Sequence, residues 1–132
     1  MKKLIPFKTA ANINLIIFGL FVIFHVLVIL GVTPQNIVWG GRLTSREELI
    51  QYEVLSIVLM SVCILITLWK AKYLPFKLRI IPTIGMWLLV PLFLFNTVGN
   101  IFAVTLFEKL VFTPMTILLA LFSLRLAIGK ES

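Results

Sequence analysis

With 132 residues, a net charge of +7 and 61% hydrophobic residues, the chain falls outside the composition of soluble domains, as its mean hydropathy of +1.12 confirms. The length leaves room for one domain. The basic excess does not point to a nucleic-acid partner, because the Lys and Arg residues flank long apolar runs and gather on one side of them.

Four apolar stretches, at about 13–32, 49–69, 80–98 and 110–128, each approach the roughly 20 residues that a membrane-spanning helix needs. They predict an all-α membrane protein: an antiparallel bundle of four transmembrane helices, forming one integral membrane domain over residues 1–132. With a cytoplasmic amino terminus, the inner side collects Lys2, Lys3, Lys8, Lys70, Lys72, Lys77, Arg79, Arg125 and Lys130. The outer side holds Arg42, Arg46 and Lys109. The excess of basic residues near the inner ends of the spans therefore predicts that both termini are cytoplasmic. Four of the five acids, Glu47, Glu48, Glu53 and Glu108, fall on or near the outer side.

Lys2 and Lys3 before the first stretch have the look of a signal-peptide start. The apolar run is longer than the ~7–15 residues of a signal core, and no small-x-small cleavage site follows it, so it reads as a retained span. Pro34 is expected to help end the first helix, and Gly40-Gly41 to supply a turn. Trp39 suits the outer interface, where its ring sits among head groups. Ser45, with Glu48 three residues later, matches a capping box and predicts a second helix starting near Arg46.

The second connection, 70–79, is short and basic, with Pro75 at its centre. Pro82 and Pro91 are candidates for kinks in the third helix. Asn96, Gly99 and Asn100 interrupt its end. Thr113-Pro114 looks like a helix start, with Thr as cap and Pro at the first helical position. A helix beginning there would extend only ~22 Å at 1.5 Å per residue, short of a ~30 Å hydrocarbon core. The fourth helix is therefore expected to begin earlier and bend at Pro114.

Helical spacing gathers the polar residues into faces. On the second helix Arg46, Leu49, Glu53, Ser56, Met60, Cys63 and Thr67 follow alternating steps of three and four. On the fourth, Lys109, Thr113, Thr116, Ala120, Ser123 and Ala127 do the same. Small and hydroxyl residues in such stripes let membrane helices approach closely. On the first helix Asn14 and His25 fall within ~20° of one face. On the third, Gly85, Leu89, Leu92, Asn96 and Asn100 share a side. Arg125, near the inner end, is expected to extend its guanidinium to the interface.

Ionisable groups within a membrane are costly, and they face a cavity or one another. With alternating span directions, His25, Glu53, Asn96 and Asn100 converge in the outer half, and Glu108 approaches from above. These four residues, with Trp39 and Arg42 at the entrance, form the candidate ligand site. A structural pairing of Glu53 with Arg46 or Arg42, and of His25 with a carbonyl, is the alternative.

The chain has no paired-cysteine motif, no nucleophile elbow and no Gly-rich phosphate loop. One His, one Cys and no Asp do not make the usual zinc ligand sets. No metal, cofactor or catalytic residue is predicted. Three functions follow in order: binding or transport of a small solute, ion or lipid; an interaction or regulatory role toward another membrane protein; and an intramembrane enzyme using Glu53 and His25. A homo-oligomer is compatible with all three. The length and the lack of eukaryotic targeting signals favour a bacterial plasma membrane.

Overall fold

The structure, a computed structural model, describes residues 4–31, 46–102 and 106–129. Every element among them is helical: α1 (Phe7–Ile29), α2 (Arg46–Lys70), α3 (Ile80–Ile101), a π-helical turn (Glu108–Phe112) and α4 (Thr113–Ile128). Four helices are long and apolar enough to cross a membrane, over Phe7–Ile29, Glu47–Lys70, Ile80–Ile101 and Lys109–Ile128.

Helix α1 starts six residues before the apolar run it was expected to follow. Pro6 sets the entry, with its ring-fixed φ of −61°, and its carbonyl accepts the Ala10 N–H at 3.0 Å. The polar Lys8, Thr9 and Asn12 extend the helix beyond its apolar stretch. At the other end Gly31 takes φ +81°, a left-handed conformation that closes helices readily when no Cβ is present. The helix thus ends before Val32, and Pro34 and Gly40-Gly41 lie outside the described residues.

Helix α2 is described from Arg46 onward; the proposed cap, Ser45, lies outside the described residues. Its C-terminus closes with two paired bonds, Tyr73 N–H to the Leu68 carbonyl at 2.9 Å and Lys72 N–H to that of Trp69 at 3.1 Å. This is the Schellman arrangement, with Lys72 rather than glycine in the left-handed position at φ +65°. Arg79 then reaches back from the next helix and donates to the Trp69 carbonyl at 2.6 Å and to that of Lys70. A cation at a helix C-terminus satisfies the free carbonyls and complements the helix dipole.

In α3, Pro82 lies in the first turn, where backbone N–H groups have no intrahelical acceptor. It therefore breaks no helical bond, contrary to the expected kink, and it packs in the core. Pro91 is the proline inside the helix. The fourth span begins before Thr113, as its length requires. The turn ahead of Pro114 is π-helical rather than α-helical. Thr113 does not act as the cap: its buried hydroxyl has no hydrogen-bond partner among the described residues, and the residue before it is already helical.

The helices pack in neighbouring pairs, α1 on α2, α2 on α3, α3 on α4 and α4 on α1. The core is built from Phe18, Met60, Met86, Leu89, Phe93 and Leu119, with the Phe18 and Phe93 rings 5.7 Å apart. The predicted faces of α2 and α4 are largely buried: Leu49, Glu53, Ser56, Met60, Cys63 and Thr67 on one, Thr116, Ala120, Ser123 and Ala127 on the other. The face of α3 is turned from its expected position. Pro82, Met86, Leu89, Phe93 and Thr97 are buried, whereas Gly85, Leu92, Asn96 and Asn100 sit half-buried on its flank. Outward-facing Phe95, Leu88 and Leu55 are more than half exposed, an apolar exterior suited to lipid, where association rests on packing and hydrogen bonds instead of the hydrophobic effect.

Arg125 departs most clearly from expectation. Its side chain is fully buried; it donates through Nε to the Ile5 carbonyl at 2.7 Å and through a terminal nitrogen to that of Gly129 at 3.0 Å. The segment before α1 covers it, and the Phe7 ring lies 5.5 Å from the guanidinium carbon. The two carbonyls replace part of the water that the guanidinium has lost.

Candidate functional site

Val28 of α1 and Leu49 of α2 form a small buried cluster with Phe24 packed against it, near the end where α1 finishes and α2 begins. One turn deeper, His25 and Glu53 meet. The Nδ1 of His25 contacts the Oε2 of Glu53 directly, with the imidazole 17% exposed and the carboxylate side chain fully buried. His25 lies four residues from the end of α1 and Glu53 seven residues from the start of α2, which sets the pair about 6–10 Å inside the helices at 1.5 Å per residue.

A carboxyl and an imidazole sharing one proton are neutral overall, whichever of the two carries it. One group is then the donor and the other the acceptor, so each answers the other's need for a hydrogen bond in an apolar surrounding. The pair therefore places a matched donor and acceptor among the apolar side chains of the helices. Among the described residues, no three His, Cys, Asp or Glu side chains gather to hold a metal ion.

Aromatic rings wall one side of the pair. Phe24 lies edge-on to His25 with centroids 5.6 Å apart, edge-on to Phe112 at 5.1 Å and stacked on Phe107 at 6.3 Å. Phe107 and Phe112 also meet, at 5.4 Å. Residues five apart do not share a face of an α-helix, but the π-helical turn between them brings these two together. The sequence held one signal for this wall, namely Phe24 and Phe21, the latter edge-on to Phe112 at 5.7 Å, at helical spacing; the part from Phe107 and Phe112 depends on the π turn.

Of the predicted site residues, His25 and Glu53 are thus joined directly. Asn96 and Asn100 are half-buried on α3 and make no hydrogen bond to either. Trp39 and Arg42 lie outside the described residues, as does the side chain of Glu108. Asn14, predicted on the same face as His25, is fully buried and serves another contact: its amide nitrogen reaches the Ser123 hydroxyl at 3.3 Å. Thr97 and Thr116 pair similarly between α3 and α4 at 2.8 Å.

No known protein family matches the chain, and no curated protein or solved structure does so either.

Proposed function

We propose that this is a small multi-pass membrane protein that binds or transports a small solute, an ion or a lipid through a polar site built on His25 and Glu53. The reading sets the chain as one integral membrane domain, an antiparallel bundle with both termini cytoplasmic, in a bacterial plasma membrane. The site then opens toward the outer half, with Asn96 and Asn100 contributing amides from α3 and Trp39 and Arg42 at the mouth. The observation that carries it is the contact between an imidazole and a fully buried carboxylate inside apolar helices, since ionisable groups at such depth are costly and mark ligand or proton pathways.

An alternative role, docking another membrane protein through the small-residue stripes, needs those stripes on the outside. Ser56, Cys63, Thr67, Thr116, Ala120, Ser123 and Ala127 are instead buried, so the binding reading stands ahead of it. An intramembrane enzyme using the same pair as acid and base ranks last, because the spacing of the residues requires no such chemistry.

Native mass spectrometry of the protein, gently extracted from its own membrane, tests the proposal. A defined small adduct is expected on the wild type and is lost in Glu53→Gln and His25→Ala, with helix content and cooperative melting retained. A wild type free of any adduct, together with variants that no longer melt cooperatively, would make the pair a structural clasp and overturn the reading.

A further inference from the structure

The end of the bundle far from the His25–Glu53 pair is cationic. Lys8, Lys70, Lys72, Lys77, Arg79 and Arg125 gather there, while the described carboxylate side chains, Glu47, Glu48 and Glu53, all belong to the first two turns of α2. Several of these cations are fixed by the fold. Lys8 donates to the Ala71 carbonyl and lies 4.4 Å over the Tyr73 ring. Lys70 donates to the Thr83 hydroxyl at 2.7 Å, and Arg79 bonds the last carbonyls of α2. The connection between α2 and α3 is therefore tied at both ends.

On that tied segment, exposed apolar side chains stand beside exposed basic ones. Tyr73, Phe76 and Leu78 are 43%, 46% and 61% exposed; Lys72, just before Tyr73, and Lys77, between Phe76 and Leu78, are exposed as well. We propose that this segment binds the head group of an anionic phospholipid, with Lys72 and Lys77 at the phosphate and Phe76 and Leu78 against the acyl chains. Charge complementarity selects an anion, because basic residues beside a span are attracted to anionic lipid by roughly 1 kcal/mol each. The exposed apolar neighbours select a lipid over a free anion, which would leave them in water. The prearranged backbone lowers the ordering cost of the contact. The inference needs only the membrane spans and is independent of the ligand assigned to the other end.

The test is retention of lipid after reconstitution in equimolar phosphatidylglycerol and phosphatidylcholine of matched chains, read by native mass spectrometry. Phosphatidylglycerol adducts are expected to exceed phosphatidylcholine adducts, and each lysine removed should lower the ratio about fivefold. Lys72→Asn keeps a residue tolerant of the left-handed backbone, and Lys77→Gln alters a residue that makes no side-chain hydrogen bond among the described residues. The double variant should approach parity, while Glu47→Gln/Glu48→Gln, at the other end, should retain the full preference. If Lys72→Asn disturbs folding, Lys77→Gln alone carries the test. Equal retention of the two lipids by the wild type, or a preference that Lys77→Gln leaves unchanged, overturns the proposal.

Discussion

Arg125 and Ile5, separated by 120 residues, are joined by a 2.7 Å bond from the guanidinium Nε to a backbone carbonyl. The second bond, to Gly129 at 3.0 Å, holds the chain beyond α4 to the same side chain. One buried cation therefore links the segment before α1 to the end of the last helix.

Truncating that cation leaves both carbonyls with a lost donor. Hydrogen bonds to charged groups contribute about 1.5–3 kcal/mol each, against the cost of burying the charge. Arg125→Ala is expected to lose about 2 kcal/mol in detergent-resistance unfolding. Arg125→Lys should recover less than half, because a point-charge ammonium does not reproduce the planar fork. Wild-type stability in Arg125→Ala would show that the two bonds hold nothing together.

The His25–Glu53 contact predicts energetic coupling between α1 and α2. Glu53→Gln and His25→Gln each preserve hydrogen-bonding capacity, so the single variants should remain folded. A double-mutant cycle on unfolding in micelles should give a coupling of about 1–2 kcal/mol, within the range for residues in direct contact. Strict additivity would mean that the two side chains do not act as a pair.

The sequence made some of this legible and concealed the rest for physical reasons. The inward face of α2 follows directly from the three-and-four spacing of Leu49, Glu53, Ser56, Met60, Cys63 and Thr67, because polar residues in a span are drawn away from lipid. The same logic misplaces α3. There the polar markers Asn96 and Asn100 lie on the flank, and the packed face is made of Met86, Leu89 and Phe93. Apolar side chains suit lipid and core equally, so hydropathy does not distinguish those faces. The burial of Arg125 depends on Ile5, a partner no local pattern reveals. In the candidate site, the meeting of His25 with Glu53 was within reach of span direction and depth, whereas the Phe107–Phe112 part of its wall required a π turn.

Gly85 marks a close approach of α3 to α2. A Cβ at this position would stand 2.9 Å from the Ile66 Cγ2 and 3.1 Å from its Cδ1. The Cγ2 belongs to a β-branched side chain with one preferred helical rotamer, so it yields poorly. Overpacking of this kind costs about 1–3 kcal/mol, against a gain of about 1 kcal/mol from helix propensity. Gly85→Ala should therefore be destabilised by up to about 2 kcal/mol, and Ile66→Ala should suppress that penalty in the double variant. A Gly85→Ala protein as stable as the wild type, with no change on adding Ile66→Ala, would remove the close contact as a determinant of packing.

The proposed orientation makes opposite predictions for two exposed positions. Glu47 is exposed in the first turn of α2, and Lys77 is exposed in the connection after it. The basic residues near Lys77 should keep that connection in the cytoplasm, because Lys and Arg in short loops resist translocation. In a Cys63→Ala background, Glu47→Cys should react with a membrane-impermeant maleimide in intact cells. Lys77→Cys should react only after permeabilisation. The reverse labelling pattern would invert the protein and move the His25–Glu53 pair to the inner half. Labelling of both positions from outside would contradict a crossing by α2 altogether, since one helix that spans the membrane cannot leave both ends on the same side.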